Sequence, residues 1–245
     1  MTLAPRRILY GRRRGRRRRA GRDALLETLL EPLAVSLDGV AAGSLDPRLL
    51  FVPGATEVWL EIGFGAGEHL AEQARAHREV GFLGCEPFID GVASLLRHVE
   101  HEELGNIRLF VDDARSMVDA MLTSSIGRAF LLFPDPWPKT RHHKRRFLQP
   151  ASVAGLARVL RPGAELRVAT DHLGYCRWAL AHLLAHPAFR WTAECAGDWR
   201  ERPADWPPTR YEIKAIAAGR APVYLRFVRS AGEQNAMNTG VGHLR

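Results

Sequence analysis

The carboxylate of Asp135, the ring of Trp137 and the ammonium of Lys139 fall within one run, Pro-Asp-Pro-Trp-Pro-Lys, at residues 134–139. Its three prolines lack backbone donors and bias the residues before them toward extended geometry, so the run must be a stiff loop that holds those side chains in nearly fixed directions. Directly after it come Arg141, His142, His143, Lys144, Arg145 and Arg146, enough positive charge to hold a phosphate backbone. A carboxylate, an aromatic plane and cations therefore sit together. Taken singly, a Pro-rich loop is a turn and a charge run is a solvated face. Their position at the end of an apolar strand, residues 129–133, makes them a candidate site, because open α/β sheets bind ligands outside the carboxyl ends of their strands.

A second group of such residues lies upstream. Residues 61–67 read Glu-Ile-Gly-Phe-Gly-Ala-Gly at a strand-to-helix junction, where Gly63, Gly65 and Gly67 permit a tight turn and close approach of a ligand to the backbone. The dinucleotide fingerprint needs its third glycine at position 68, which is Glu68, so a nucleotide-dependent oxidoreductase is disfavoured. Glu61 would repel a pyrophosphate but tolerate a cofactor that carries a sulfonium and an ammonium. Glu86, 23 residues beyond Gly63, is placed to accept from two ribose hydroxyls, and Asp112 or Asp113 to receive an adenine amino group. A surface or capping role satisfies each carboxylate taken alone. At three successive strand ends they outline a nucleoside pocket, most simply that of S-adenosylmethionine. His142 and His143 are adjacent and have no acidic or cysteine partner at metal-site spacing, so no metal is expected.

These residues need a scaffold that alternates strand and helix. Strands are predicted over 57–62, 82–85, 107–111, 129–133 and 166–170, with helices over 68–78, 89–101, 150–160 and 173–184. The alternation implies an α/β domain with a parallel sheet and helices on both faces. Ahead of it, Leu25, Leu26, Leu29, Leu30, Leu33 and Leu37 give residues 23–37 a helical apolar face, and residues 39–54 read as a connector.

With 245 residues, 46% hydrophobic, the chain can bury one sizeable core. We divide it into a basic arm plus amphipathic helix at 1–40, a catalytic domain at 41–229 and a loose tail at 230–245. Residues 1–22 hold ten Arg and no acid, and subtracting them from the net +8 leaves −2 for the other 223 residues. The basicity is thus an arm rather than a shell, and nucleic acid is its natural partner. Cys85, Cys176 and Cys195 form no C-x-x-C pair, which fits a reducing cytoplasm. No stretch is long enough to span a bilayer. Monomer and homodimer are both compatible with the sequence.

Taken together, the glycine loop, Pro-Asp-Pro-Trp-Pro-Lys, Arg-His-His-Lys-Arg-Arg at 141–146, Ala-Thr-Asp at 169–171 and Thr-Arg-Tyr-Glu at 209–212 resemble the bacterial tRNA (guanine-N7)-methyltransferases, in consistent order over residues 45–229. The resemblance implies a Rossmann-like class I methyltransferase fold with a mostly parallel central sheet and helices on both faces. It further implies S-adenosylmethionine as donor and a guanosine of the tRNA variable loop as target. Glu61, Gly63, Gly65, Gly67, Glu86, Asp113 and Asp135 would then line the cofactor side, with Asp135 the catalytic residue. Lys139, Arg141, Lys144, Arg145, Asp171, Thr209, Arg210, Tyr211 and Glu212 would meet the tRNA. Trp137 either stacks on the base, a contact worth about 1–3 kcal/mol, or packs into the protein. Two departures stand out: the arm is almost pure Arg, and residues 195–208, with two Trp and three Pro, look unlike what precedes the Thr-x-x-Glu motif elsewhere in the family. The competing readings are a methyltransferase directed at an exocyclic amine and a non-catalytic RNA-binding protein of the same fold.

Overall fold

The structure, a computed structural model, describes residue 13, residues 20–52 and residues 54–231. Most of the predicted arm and nearly all of the predicted tail lie outside the described residues. In chain order the elements are α1 (Ala20–Leu33), β1 (Glu57–Ile62), α2 (Glu68–Ala76), β2 (Val80–Cys85), α3 (Ile89–Glu102), β3 (Ile107–Phe110), α4 (Ala114–Ala120) and β4 (Ile126–Leu132). They continue with α5 (Pro150–Val159), β5 (Leu160–Thr170), α6 (Leu173–Leu184), β6 (Phe189–Trp191), α7 (Gly197–Arg200), α8 (Arg210–Ala217) and β7 (Val223–Arg229). A short 3-10 helix, Pro47–Leu50, lies in the connector, and a second, Thr140–Arg145, carries most of the basic run.

One seven-stranded sheet organises the chain, in the order β3-β2-β1-β4-β5-β7-β6. β1 to β5 pair in parallel, while β7 runs antiparallel to both β5 and β6. β1 therefore has β2 on one side and β4 on the other. The chain reverses its direction of winding there, and a crevice opens beyond the strand ends. Period-two alternation splits each strand between two cores. Val58, Leu60 and Ile62 join Ala129 and Leu131 in one, beside residues of α4, α5 and α6. Trp59, Phe130 and Leu132 join the other, beside α2 and α3.

Predicted and observed boundaries differ where tertiary pairing extends a strand. β4 begins at Ile126 because Ile126 pairs with Leu160 across a bulge, which also starts β5 six residues before its predicted position. α1 ends at Leu33, and the chain then runs extended along the sheet edge, with the amide of Val35 donating to Leu109 O at 2.8 Å. That covers an otherwise open β3 edge. Leu25, Leu26, Leu29, Leu30 and Leu33 face the core as their spacing implies, whereas Leu37 lies past the helix. α4, α7, α8, β6 and β7 were not predicted. Among the described residues, no helix is long and apolar enough to cross a membrane.

Candidate active site

Beyond the ends of β1, β2, β3 and β4 lies a cleft of about 590 Å³, whose walls include Gly63, Gly65, Glu86, Asp113, Asp135, Trp137, Arg145 and Tyr211. Gly63, Gly65 and Gly67 all take positive φ, and the amide of Gly65 donates to Glu86 Oε2 at 2.9 Å. Glu86 Oε1 accepts from Phe88 N at 2.9 Å, so one carboxylate ties the glycine loop to the turn after β2. Burial pushes the Glu86 carboxyl up to about 7, with the negative charges of Asp135 and Glu61 adding to the rise and its two backbone donors opposing it. Asp113 caps α4, accepting from Arg115 N at 3.0 Å, and holds the Arg115 guanidinium through both carboxylate oxygens. Neighbouring Asp112 pairs with Arg13 of the basic arm at 3.1 Å, while Arg13 O accepts from Ile89 N at 3.1 Å.

Glu61 does not line this cleft. It sits on the face of β1 covered by α2, where its Oε2 lies 2.7 Å from His69 Nδ1 and both side chains are buried. The His69 ring rests edge-on against Phe130 at 4.7 Å.

Across the cleft, β4 ends in a backbone that residues with side chains rarely adopt. Phe133 and Trp137 have φ of 49° and 40°, a left-handed geometry costing roughly 1–3 kcal/mol for each such residue. The Phe133 amide is fixed by Ala169 O at 2.7 Å. Between the two, Asp135 is exposed at the rim, yet the surrounding walls strip enough water from its carboxyl to raise its pKa. Trp137 is half-buried in the cleft wall, with the Arg145 guanidinium 4.8 Å from its ring centroid and His142 edge-on at 5.9 Å. Lys139, Arg141 and Lys144 are exposed around the 3-10 helix, outside the cleft. Arg146, read in the sequence as part of the same cationic run, points inward and is only 2% exposed.

The remaining expected tRNA contacts divide. Of Thr209, Arg210, Tyr211 and Glu212, only Tyr211 lines the cleft. Its ring lies against Gly65, so close that a Cβ there would stand 2.9 Å from Tyr211 Cε2. Thr209 and Glu212 are buried in a capping box: Thr209 Oγ1 accepts from Glu212 N at 3.1 Å, and Glu212 Oε2 accepts from Thr209 N at 3.4 Å. Glu212 also accepts from Tyr224 and pairs with Arg202 at 3.1 Å. Arg210 faces Glu68 at 3.9 Å, and Asp171 accepts from Arg220 Nε at 2.6 Å.

Gly91 and Arg115 also belong to the site, though neither stands out in the sequence. A Cβ on Gly91 would meet Gly65 O at 2.2 Å, so α3 can approach the glycine loop only because residue 91 has no side chain. A lone glycine inside a predicted helix was the available signal. Among the described residues, no three His, Cys, Asp or Glu side chains gather as a metal site.

A family profile described as "Putative methyltransferase" matches residues 55–225. The tRNA (guanine-N(7)-)-methyltransferase of Rhodospirillum rubrum is 53% identical over 221 residues, covering 90% of this chain and 87% of its own. That of Paramagnetospirillum magneticum is 48% identical, covering 94% and 96% respectively. Among solved structures, the 16S rRNA methyltransferase KamB aligns with TM-score 0.50 at 16% identity, over 72% of this chain and 89% of its own. A mutant of the 16S rRNA (adenine(1408)-N(1))-methyltransferase from Catenulisporales acidiphilia aligns with TM-score 0.50 at 17% identity, over 80% of this chain and 98% of its own. These two share the fold, a Rossmann-like class I methyltransferase. By extent and identity together, the chain belongs to the tRNA (guanine-N(7)-)-methyltransferase family.

Proposed function

We propose that this protein methylates N7 of a guanosine in the variable loop of tRNA, with S-adenosylmethionine as donor and the cytoplasm as its compartment. The carrying observation is that the glycine loop and the Asp135 loop open into one cleft. The cleft's volume suits a nucleoside ligand. Its donor set suits a cationic one: Glu86 is a buried carboxyl raised to about 7, and an arriving positive charge favours its ionised form. When bound, S-adenosylmethionine supplies a methyl group on an electrophilic sulfonium.

The chain's own residues supply orientation and charge. Gly65 offers bare backbone beneath Tyr211, Glu86 an anionic acceptor for ribose hydroxyls, and Asp113, in the wall after β3, a further acceptor. Glu61, held by His69 behind the loop, adds negative potential. Guanine N7 carries a lone pair and no proton, so the reaction asks for alignment rather than a strong base. Asp135 accepts from the purine's ring donors and counters the positive charge the ring acquires, an electrostatic role. Trp137 flanks the base and Tyr211 lies over the glycine loop on the cofactor side, while Lys139, Arg141, Lys144 and Arg145 hold phosphates. Thr209 and Glu212 act by seating Tyr211 and Arg210 at the start of α8, and Asp171 by anchoring Arg220.

Incubation with labelled S-adenosylmethionine and bulk tRNA, followed by nucleoside analysis, tests donor, acceptor and atom together. The expected product is 7-methylguanosine. Label on an exocyclic amine, or none on tRNA, would overturn the proposal.

A further inference from the structure

Arg146 differs from every other cation of its run. Arg141 and Lys144 are exposed, whereas Arg146 is buried with its guanidinium against protein carbonyls. Nε donates to Pro136 O at 2.9 Å, Nη2 to Trp137 O at 3.4 Å and Nη1 to Gly174 O at 3.4 Å. The ring centroids of Trp178 and Tyr175 lie 5.0 and 5.7 Å away. Two of the three acceptors immediately follow Asp135, and the third belongs to α6. The chain behind Arg146 is itself fixed, because Gln149 Nε2 donates to Arg146 O at 3.2 Å and caps α5.

That arrangement answers a problem set by the loop. Phe133 and Trp137 both hold left-handed backbone, so relaxation at either would swing the intervening carboxylate. A buried, planar group with several donors can grip successive carbonyls at fixed angles, which a single ammonium on a flexible stem cannot do. We propose that Arg146 is a positioning residue for methyl transfer, its guanidinium clamping the carbonyls of Pro136 and Trp137 to α6 and so fixing the direction of Asp135. The inference rests on Asp135 acting at the reacting purine and assigns Arg146 no contact with tRNA.

The test is single-turnover methylation by Arg146→Met, Arg146→Lys, Asp135→Asn and the double variant Asp135→Asn/Arg146→Met, with binding of S-adenosylmethionine and tRNA measured separately. Arg146→Met should lower the methylation rate about 100-fold, the scale of a small misplacement of a reacting group, while both affinities stay near the parent's. Arg146→Lys should remain impaired. In the Asp135→Asn background the same Met substitution should change the rate by no more than about twofold, because the group it positions is already disabled. Arg146→Met at the parental rate would sink the clamp, as would an undiminished further loss in the double variant. A loss confined to tRNA affinity would return Arg146 to the phosphate-binding run and also overturn it. If Arg146→Met does not unfold cooperatively, the Lys variant is read through the same cycle. Asp135→Asn at the parental rate would refute the assigned role of Asp135 itself, a result distinct from failure of the clamp alone.

Discussion

On the β1 side of the cleft the chain turns through Gly63, Gly65 and Gly67, residues for which positive φ carries little penalty, and Glu86 ties the turn down through the Gly65 amide. On the β4 side the same handedness is forced on Phe133 and Trp137, and the conformation persists because Ala169 and Arg146 hold the backbone from outside the loop. One wall is permissive and closely packed; the other is strained and clamped. The glycine wall brings bare backbone to the cleft beside the Tyr211 ring, which suits a cofactor bound mainly through close backbone approach. The strained wall presents one carboxylate in one direction, which suits alignment of a reacting base. Damage to the first should therefore appear in binding, and damage to the second in rate.

Asp135→Ala gives the largest expected effect. Methyl transfer should be abolished while tRNA affinity changes little, since the exposed cations around the 3-10 helix are intact. Near-parental incorporation of label would remove the distinction between the walls. Next comes Gly91→Ala. In an open helix this change stabilises by about 1 kcal/mol, but here the new Cβ would stand 2.2 Å from Gly65 O. Overpacking of about 1–3 kcal/mol should win, weakening S-adenosylmethionine binding by one to two orders of magnitude. A raised melting temperature with unchanged affinity would show that the glycine wall tolerates displacement.

The same contrast explains how much was legible beforehand. Parallel strands buried on both faces gave short, mostly apolar runs, so β1 to β5 and the crevice beyond them could be read from pattern. β7 could not be placed, because nothing local says that Val-Tyr-Leu-Arg-Phe-Val-Arg inserts antiparallel between β5 and β6. Glycines announce a tight turn by composition, and prolines announce a stiff one. The brace on the stiff turn stayed hidden, since Arg146 looks like its neighbours until the 3-10 helix turns it inward. Asp171 likewise meets Arg220 only through the fold, 49 residues along the chain. Thr209 and Glu212 were different: their spacing is that of a capping box, a signal present in the sequence beside the expected substrate contact.

Glu86 gives the glycine wall a pH dependence that the Asp135 wall does not share in binding. Its folded-state carboxyl lies at about 7 against an ordinary 4.5. Between those values the folded protein holds more proton than the unfolded chain, so this group's contribution to stability is full below about 4.5 and is lost as pH rises through 7. The range is up to about 3 kcal/mol in the ligand-free protein. Cofactor affinity should run the opposite way, about tenfold tighter at pH 8 than at pH 6, because the ionised form is the one that accepts from ribose and attracts the sulfonium. Calorimetric titration and thermal melts at the two pH values check both slopes, and Glu86→Gln should flatten them. Slopes unchanged in that variant would move the titrating group elsewhere.

The smallest expected effect distinguishes a brace from a contact at α8. Thr209 caps the helix that lays Tyr211 on Gly65, and its hydroxyl is already engaged by the Glu212 amide. Thr209→Ala should cost about 1 kcal/mol of stability, the usual loss for an N-cap. A frayed first turn loosens Tyr211 on the glycine wall, so KM for S-adenosylmethionine should rise a few-fold while kcat at saturation holds. A fall in kcat at saturating cofactor, with stability unchanged, would instead place the Thr209 hydroxyl on the RNA and join α8 to the strained side of the cleft.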